Sequence, residues 1–201
     1  MKSHELELLL GSLSSIAALC AIENADRSRR LLKSVAQLLR YKYKRRGQVL
    51  PLADEIQTVE VLFALSCARY RDQLVTVIAP AADGHTDWNA CYVPHYTILT
   101  FAENSIYHAF ERTEPPWHVG LHVVPGDTAI AIVVEDDGIG FEAQDYLGGR
   151  SGVSAGAGDA GYGSISSTLS RLDAYYGSQY EIRIASSPGA GTRVELTLPI
   201  G

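Results

Sequence analysis

Lysine is missing from most of this 201-residue chain: all four lysines lie at or before residue 44. Residues 1–50 carry a net charge of +6 and residues 51–201 a net −12. The acidic larger part excludes nonspecific nucleic-acid binding through it, and the split argues for two units with different partners. Cysteine is scarce too. Cys20, Cys67 and Cys91 show neither a paired spacing nor a metal-ligand pattern with histidine, which points to free thiols in a reducing compartment and a cytoplasmic location. A long uninterrupted apolar run is also lacking. The stretch Leu6 to Ile22 is broken by Glu7, Gly11 and several serines, falls short of a bilayer span, and has no basic start or signal-peptide cleavage site, so direct membrane insertion is not expected. No internal repeat is visible.

What is present reads as two parts. Leu6, Leu9, Leu13, Ile16 and Cys20 follow three-four spacing, as do Leu31, Leu32, Val35, Leu38 and Leu39 after a capping Asp26. Residues 1–50 therefore form a helical hairpin. Two helices cannot enclose a core alone, so the hairpin is expected to pair with a second copy as a dimeric four-helix bundle. Residues 51–201 mix helices (54–70, 96–110 and about 165–176) with strands at 74–78, 117–124, 128–135, 180–185 and 192–198. The expected class is α+β, an α/β sandwich with a mixed, largely antiparallel sheet and its helices on one face. Residues 141–163, rich in Gly, Ser and Ala, read as a loop over a site.

Two segments carry the chemistry. Glu135-Asp-Asp-Gly-Ile-Gly140 follows a strand: its glycines let a ligand approach the backbone, and a carboxylate at a strand end can accept a hydrogen bond from an exocyclic amine. A plain acidic turn also produces that pattern. Earlier, Glu103 and Asn104 are adjacent polar residues in an otherwise apolar helix, with His108 one turn beyond Asn104. An Asn oxygen is a hard ligand suited to magnesium bridging phosphates, and a neighbouring carboxylate can orient an attacking group. A solvated helix face is the alternative reading.

The run Pro94 to Phe110 resembles the N box of the GHKL ATPases, and Glu135 to Gly140 resembles their first glycine box. Gly161-Tyr-Gly163 before Arg171-Leu172 is similar to the second glycine box, and Gly189-Ala-Gly-Thr192 to the last Gly-Thr box. Within that superfamily, Leu38-Leu-Arg-Tyr41, Val49-Leu-Pro-Leu52 with Glu55, and Arg69-Tyr70 resemble the LytS-type sensor histidine kinases. The resemblance implies a Bergerat-type sandwich behind a dimerising hairpin. It implies that Asn104 holds magnesium against the ATP triphosphate and that Glu103 is the polarising base. Asp136 would bind the adenine amino group, Gly138 and Gly140 would shape the base pocket, and Gly161 and Gly163 would serve the lid. Thr192 would support the adenine side, with His108 a lesser member of the pocket.

The chain departs from the family in its first helix. Gly11-Ser-Leu-Ser-Ser-Ile16 aligns with a stretch that places Glu7 where the phosphoacceptor histidine belongs. His4, one turn earlier, is a candidate acceptor, since a neutral imidazole is a competent nucleophile; a frayed helix end is the other reading. Tyr107 stands where many relatives carry a basic residue, and Arg150 is the only cation between Arg112 and Arg171. Three functions remain open. The first is a histidine kinase that passes the γ-phosphate to a histidine and on to a response regulator. The second is an ATP-binding pseudokinase scaffold that pairs with itself or with a partner sensor kinase. The third, an anti-sigma-type serine kinase, normally lacks such a hairpin.

Overall fold

The computed structural model describes residues 3–44, 47–80, 88–107, 110, 113–141 and 164–200. Helices α1 (Ser3–Ile22) and α2 (Asp26–Lys44) form the expected hairpin. The reversal between them is short because Asn24 takes the left-handed conformation at φ 57°, which a short amide side chain tolerates. The Ala25 N–H then donates back to the Cys20 carbonyl at 2.7 Å.

The buried stripe of α1 differs from the one its leucine spacing suggests. Leu6, Leu10 and Ala17 are buried with Leu13 packed beside them, whereas Leu9 and Ile16 are 40% and 47% exposed. Helix α1 is apolar on most of its circumference, so periodicity alone does not select a face. Its partner does: Ala36, Leu39 and Tyr43 of α2 cover Leu6 and Leu10. The helix also extends beyond the Leu6–Ile22 run, and it is long and apolar enough to cross a membrane by length and composition.

Strand β1 (Val49–Pro51) leads into α3 (Leu52–Tyr70), which buries Leu52, Ile56, Val59, Leu62 and Phe63 at helical spacing. A 3-10 turn, Arg71–Gln73, delivers the chain to β2 (Leu74–Pro80). Strand β3 (Tyr92–Pro94) pairs antiparallel with β1, placing Val93 opposite Leu50. That ribbon escapes the sequence, because Gly47 and Pro51 frame the segment as a break. Helix α4 (Ile98–Tyr107), strands β4 (Trp117–Pro125) and β5 (Ala129–Asp136), helix α5 (Ile165–Tyr176) and strands β6 (Glu181–Ser186) and β7 (Thr192–Pro199) follow.

The main sheet runs β2-β4-β5-β7-β6, with β2 and β4 parallel and every other pairing antiparallel. Alternation along its strands sends Val119, Leu121, Ile130, Ile132, Val134, Val194 and Leu196 into one core with Leu99 of α4 and Leu172 of α5. His118, Gly120, His122, Glu135 and Arg193 alternate onto the opposite face. The expected mixed, largely antiparallel sandwich is thus the observed one. Its core also takes in the end of the hairpin, since Tyr41 is buried there and Leu38 packs against it.

Candidate functional site

The site grows from α4. A helix N-terminus leaves backbone donors unpaired, and here a carboxylate from another helix meets them: fully buried Glu55 of α3 accepts the N–H groups of Tyr96 (2.6 Å), Ile98 (3.0 Å) and Leu99 (3.2 Å). It also accepts the Tyr41 hydroxyl, and the Tyr41 carbonyl takes a bond from His95 Nε2 at 2.7 Å. Burial pushes the Glu55 carboxyl up to about 7, against the opposing pull of those backbone donors. On the other side, Arg171 of α5 donates to the Tyr96 carbonyl at 3.0 Å and to Thr168 Oγ1 at 2.7 Å. Thr168 in turn meets Thr100 at 3.0 Å. Helix α4 is therefore gripped from α2, α3 and α5.

Asp136 closes β5 and faces α4. Its Oδ2 accepts the Ser105 hydroxyl at 2.7 Å and its Oδ1 accepts the Gly138 N–H at 3.0 Å. Burial raises this carboxyl above the usual aspartate range, while Ser105, Gly138 and Thr192 pull it back. Thr192 stands opposite Asp136 in the β5–β7 register. Beyond it the two glycine turns interlock: Gly189 N–H donates to the Ile139 carbonyl at 2.6 Å, and Phe141 N–H donates to Ser186 Oγ at 2.9 Å. Gly140 and Gly191 have φ of 60° and 75°. A Cβ on Gly140 would lie 2.1 Å from the Ser187 oxygen, and one on Gly191 would lie 2.0 Å from the Asp136 oxygen. Only glycine permits this approach.

Glu103 and Asn104 sit half-buried on the outward side of α4. Glu103 Oε2 accepts the Tyr96 hydroxyl at 2.5 Å, and Glu103 Oε1 lies 2.6 Å from Lys42 Nζ of α2. Burial and the neighbouring Glu103 raise the Tyr96 phenol well above its ordinary value.

The fold thus gathers Gly138, Gly140 and Thr192 around Asp136, and Ser105 ties Asp136 to α4, in which Glu103 and Asn104 directly precede Ser105. His108, Gly161 and Gly163 lie outside the described residues. His4 is exposed in the first turn of α1, and Glu7 is exposed one turn on. Among the described residues no group of three His, Cys, Asp or Glu side chains could hold a metal ion. A cavity of about 780 Å³ lies over His118, His122, Glu135 and Arg193 on the other face of the sheet, and Asp136, Ser186, Gly191 and Thr192 of the site line it too.

Ser105, Ser186, Tyr96 and Lys42 are among the contributors to which the sequence alone assigns no role. Ser105 carried a signal, since it is a third polar residue in an apolar helix beside Asn104. Ser186 and Lys42 carried none, because their partners are distant in sequence.

Comparison with known proteins places this geometry in context. A family model described as histidine kinase matches residues 7–74. The chain is 29% identical over 192 residues to the sensor protein LytS of Staphylococcus saprophyticus, covering 94% of this chain and 31% of that protein. It is 25% identical over 191 residues to the sensor histidine kinase YesM of Bacillus subtilis, with 95% and 31% covered. It therefore spans about a third of the length of these curated relatives. Among solved structures, the histidine kinase domain of the Erythrobacter litoralis blue-light activated histidine kinase superposes with a TM-score of 0.52 at 16% identity, covering 98% of this chain and 93% of that one. The catalytic domain of the histidine kinase ThkA gives 0.52 at 13% identity, with 76% and 96% covered. The chain is homologous to the LytS-type sensor histidine kinases and has the GHKL-type histidine kinase fold.

Proposed function

We propose that residues 51–201 bind ATP with magnesium, and that the chain is a histidine kinase module of two-component signalling that hands the γ-phosphate to a histidine. One observation carries the binding half: the half-buried Asp136 carboxylate is fixed by Ser105 and Gly138 beside two glycine turns packed so closely that neither Gly140 nor Gly191 leaves room for a Cβ. A fixed acceptor beside closely approached backbone suits the amino edge of adenine.

The donor set fits magnesium as well. This ion keeps much of its water shell and needs only one or two protein oxygens beside phosphates, so Asn104 suffices without a cage of carboxylates. Bound together, magnesium and ATP supply a transferable phosphoryl group with its charge partly neutralised. Around them Asn104 would supply the amide oxygen, Asp136 and Thr192 would hold the base side, Gly138 and Gly140 would keep the backbone close, and Glu103 would accept a proton from the attacking group. His108, Gly161 and Gly163 complete this assignment on the strength of the motif resemblance.

The hairpin supplies the partner surface. Leu8, Ile16, Leu19 and Ile22 leave an apolar flank of α1 uncovered within one copy, which supports a homodimer through a four-helix bundle, with a response regulator or partner sensor kinase as its signalling contact. Cys20, Cys67 and Cys91 form no disulfide, which suits a reducing compartment, and we propose that the module lies on the cytoplasmic side.

Glu7 favours a second reading, a nucleotide-binding scaffold that pairs with a kinase carrying its own histidine. Incubation with γ-labelled ATP and magnesium separates the two. The kinase reading expects acid-labile phosphate on the wild type and none on His4→Ala or Asn104→Ala. A wild type that binds ATP but stays unlabelled selects the scaffold.

A further inference from the structure

We infer that Lys42 is a latch by which the helical hairpin controls whether Glu103 is available to the nucleotide site; the inference rests on the ATP-binding function proposed above. Lys42 belongs to α2, while Glu103 belongs to α4, and their charged ends are 2.6 Å apart with the side chains only 24% and 13% exposed. A pair so shielded escapes much of the screening that makes surface ion pairs weak. The ammonium also lies 5.6 Å from the centre of the Tyr96 ring, whose hydroxyl donates to the other oxygen of Glu103. Both carboxylate oxygens are therefore engaged by groups other than a nucleotide or an attacking side chain.

Neither Arg171 nor Arg193 can exchange roles with Lys42. The Arg171 guanidinium is committed to Ser167, Thr168 and the Tyr96 carbonyl, and Arg193 is paired with Glu135. The contact is also mechanically placed. Tyr41, the residue before Lys42, donates to Glu55, and Glu55 accepts the first backbone donors of α4. The last turn of α2 thus holds α4 at its N-terminus through Tyr41 and midway along through Lys42. A shift of α2 along or about its axis draws the ammonium away from Glu103 and frees the carboxylate. Packed helices move between discrete arrangements, which gives the latch two states. Signals reaching the hairpin would act on the base by this route.

The first test uses nucleotide-free protein. Acylation of lysine amines by an N-hydroxysuccinimide ester is followed by mass spectrometry, with exposed Lys33 as the internal reference. In Glu103→Gln, Lys42 is expected to react about fivefold faster relative to Lys33 than in the wild type, the bias set by loss of one partly shielded ion pair. Equal relative rates overturn the latch. Should that variant fail to fold, amide exchange over residues 36–43 in Lys42→Gln serves instead: faster exchange supports the latch and unchanged exchange overturns it.

The second test measures binding of a fluorescent ATP analogue and phosphate release from ATP. Lys42→Met is expected to keep wild-type affinity and release phosphate about fivefold faster, while Lys42→Arg stays at the wild-type rate. A Lys42→Met rate that is unchanged or lower overturns the latch, as does an affinity loss of tenfold, which would make Lys42 a phosphate ligand. A wild type that binds no nucleotide, with the acylation contrast intact, overturns the ATP-binding function and leaves the hairpin contact standing.

Discussion

Ser105 donates its hydroxyl hydrogen to Asp136 Oδ2 at 2.7 Å and so joins α4 to the end of β5. The helix that carries Asn104 is thereby referenced to the carboxylate assigned to adenine. Ser105→Ala should weaken ATP binding about fivefold, equivalent to about 1 kcal/mol for one partly buried hydrogen bond. Asp136→Asn should cost tenfold or more, because an amide nitrogen replaces one of the two acceptors. Titration of either variant with a fluorescent ATP analogue checks this.

The same carboxyl sets a pH dependence. Burial raises it above 3.8, and only the ionised form accepts both Ser105 and an adenine amine. Affinity should therefore fall as pH is lowered, beginning above the range of an ordinary aspartate. Dissociation constants measured from pH 8 down to 4.5 decide the matter, and a flat profile counts against Asp136 as the base-binding group.

The glycine turns give a contrast between neighbouring positions. Gly191→Ala and Gly140→Ala would drive a Cβ into backbone oxygen at 2.0 and 2.1 Å, so each should lose on the order of 3 kcal/mol and most nucleotide binding. Gly189 has φ 80° but nothing within 4 Å of its missing Cβ. Gly189→Ala should therefore cost only the backbone strain, about 1 kcal/mol. Urea melts of the three variants provide the comparison.

These contrasts show where the sequence is readable. Alternation in Val119-Gly-Leu-His-Val123 and Ile130-Ala-Ile132 marks strands with one buried face, and the motif glycines mark turns, because both signals are local. The face of α1 that packs within one copy is not legible, because α1 has leucines on several sides and the choice depends on Ala36 and Tyr43 of another helix. In the sequence Glu55 stands out only beside Val49-Leu-Pro-Leu52, as part of a motif resemblance. Its role as the acceptor for Tyr96, Ile98 and Leu99 requires knowing that α3 ends up against the start of α4, more than 40 residues away. Lys42 and Glu103 are farther apart still, and no periodicity links them.

Glu55 makes stability itself depend on pH. Its folded-state value of about 7 exceeds the ordinary 4.5, so the folded protein holds a proton that the unfolded chain has released. The contribution is fully present below about 4.5 and is lost as pH rises through 7, a change of about 3 kcal/mol. Denaturant midpoints at pH 5 and pH 8 should differ in the wild type and lose most of that difference in Glu55→Gln. The variant should also be less stable at both, because its amide NH2 meets backbone N–H groups that need an acceptor.

The exposed flank of α1 tests the dimer independently of any nucleotide. Ile16 and Leu19 are 47% and 56% exposed, while Leu10 is 4% exposed and packs on α2. Two charges at Ile16→Glu and Leu19→Glu would be solvated in a single copy but desolvated at the centre of a four-helix bundle, where an unpaired carboxylate costs several kcal/mol. The double variant should therefore sediment as a folded monomer at concentrations where the wild type is a dimer. Leu10→Ala should instead loosen the hairpin from within, at about 2 to 4 kcal/mol for a buried leucine. A double variant that remains dimeric would move the interface to another face, because two buried glutamates could not persist at that seam unpaired.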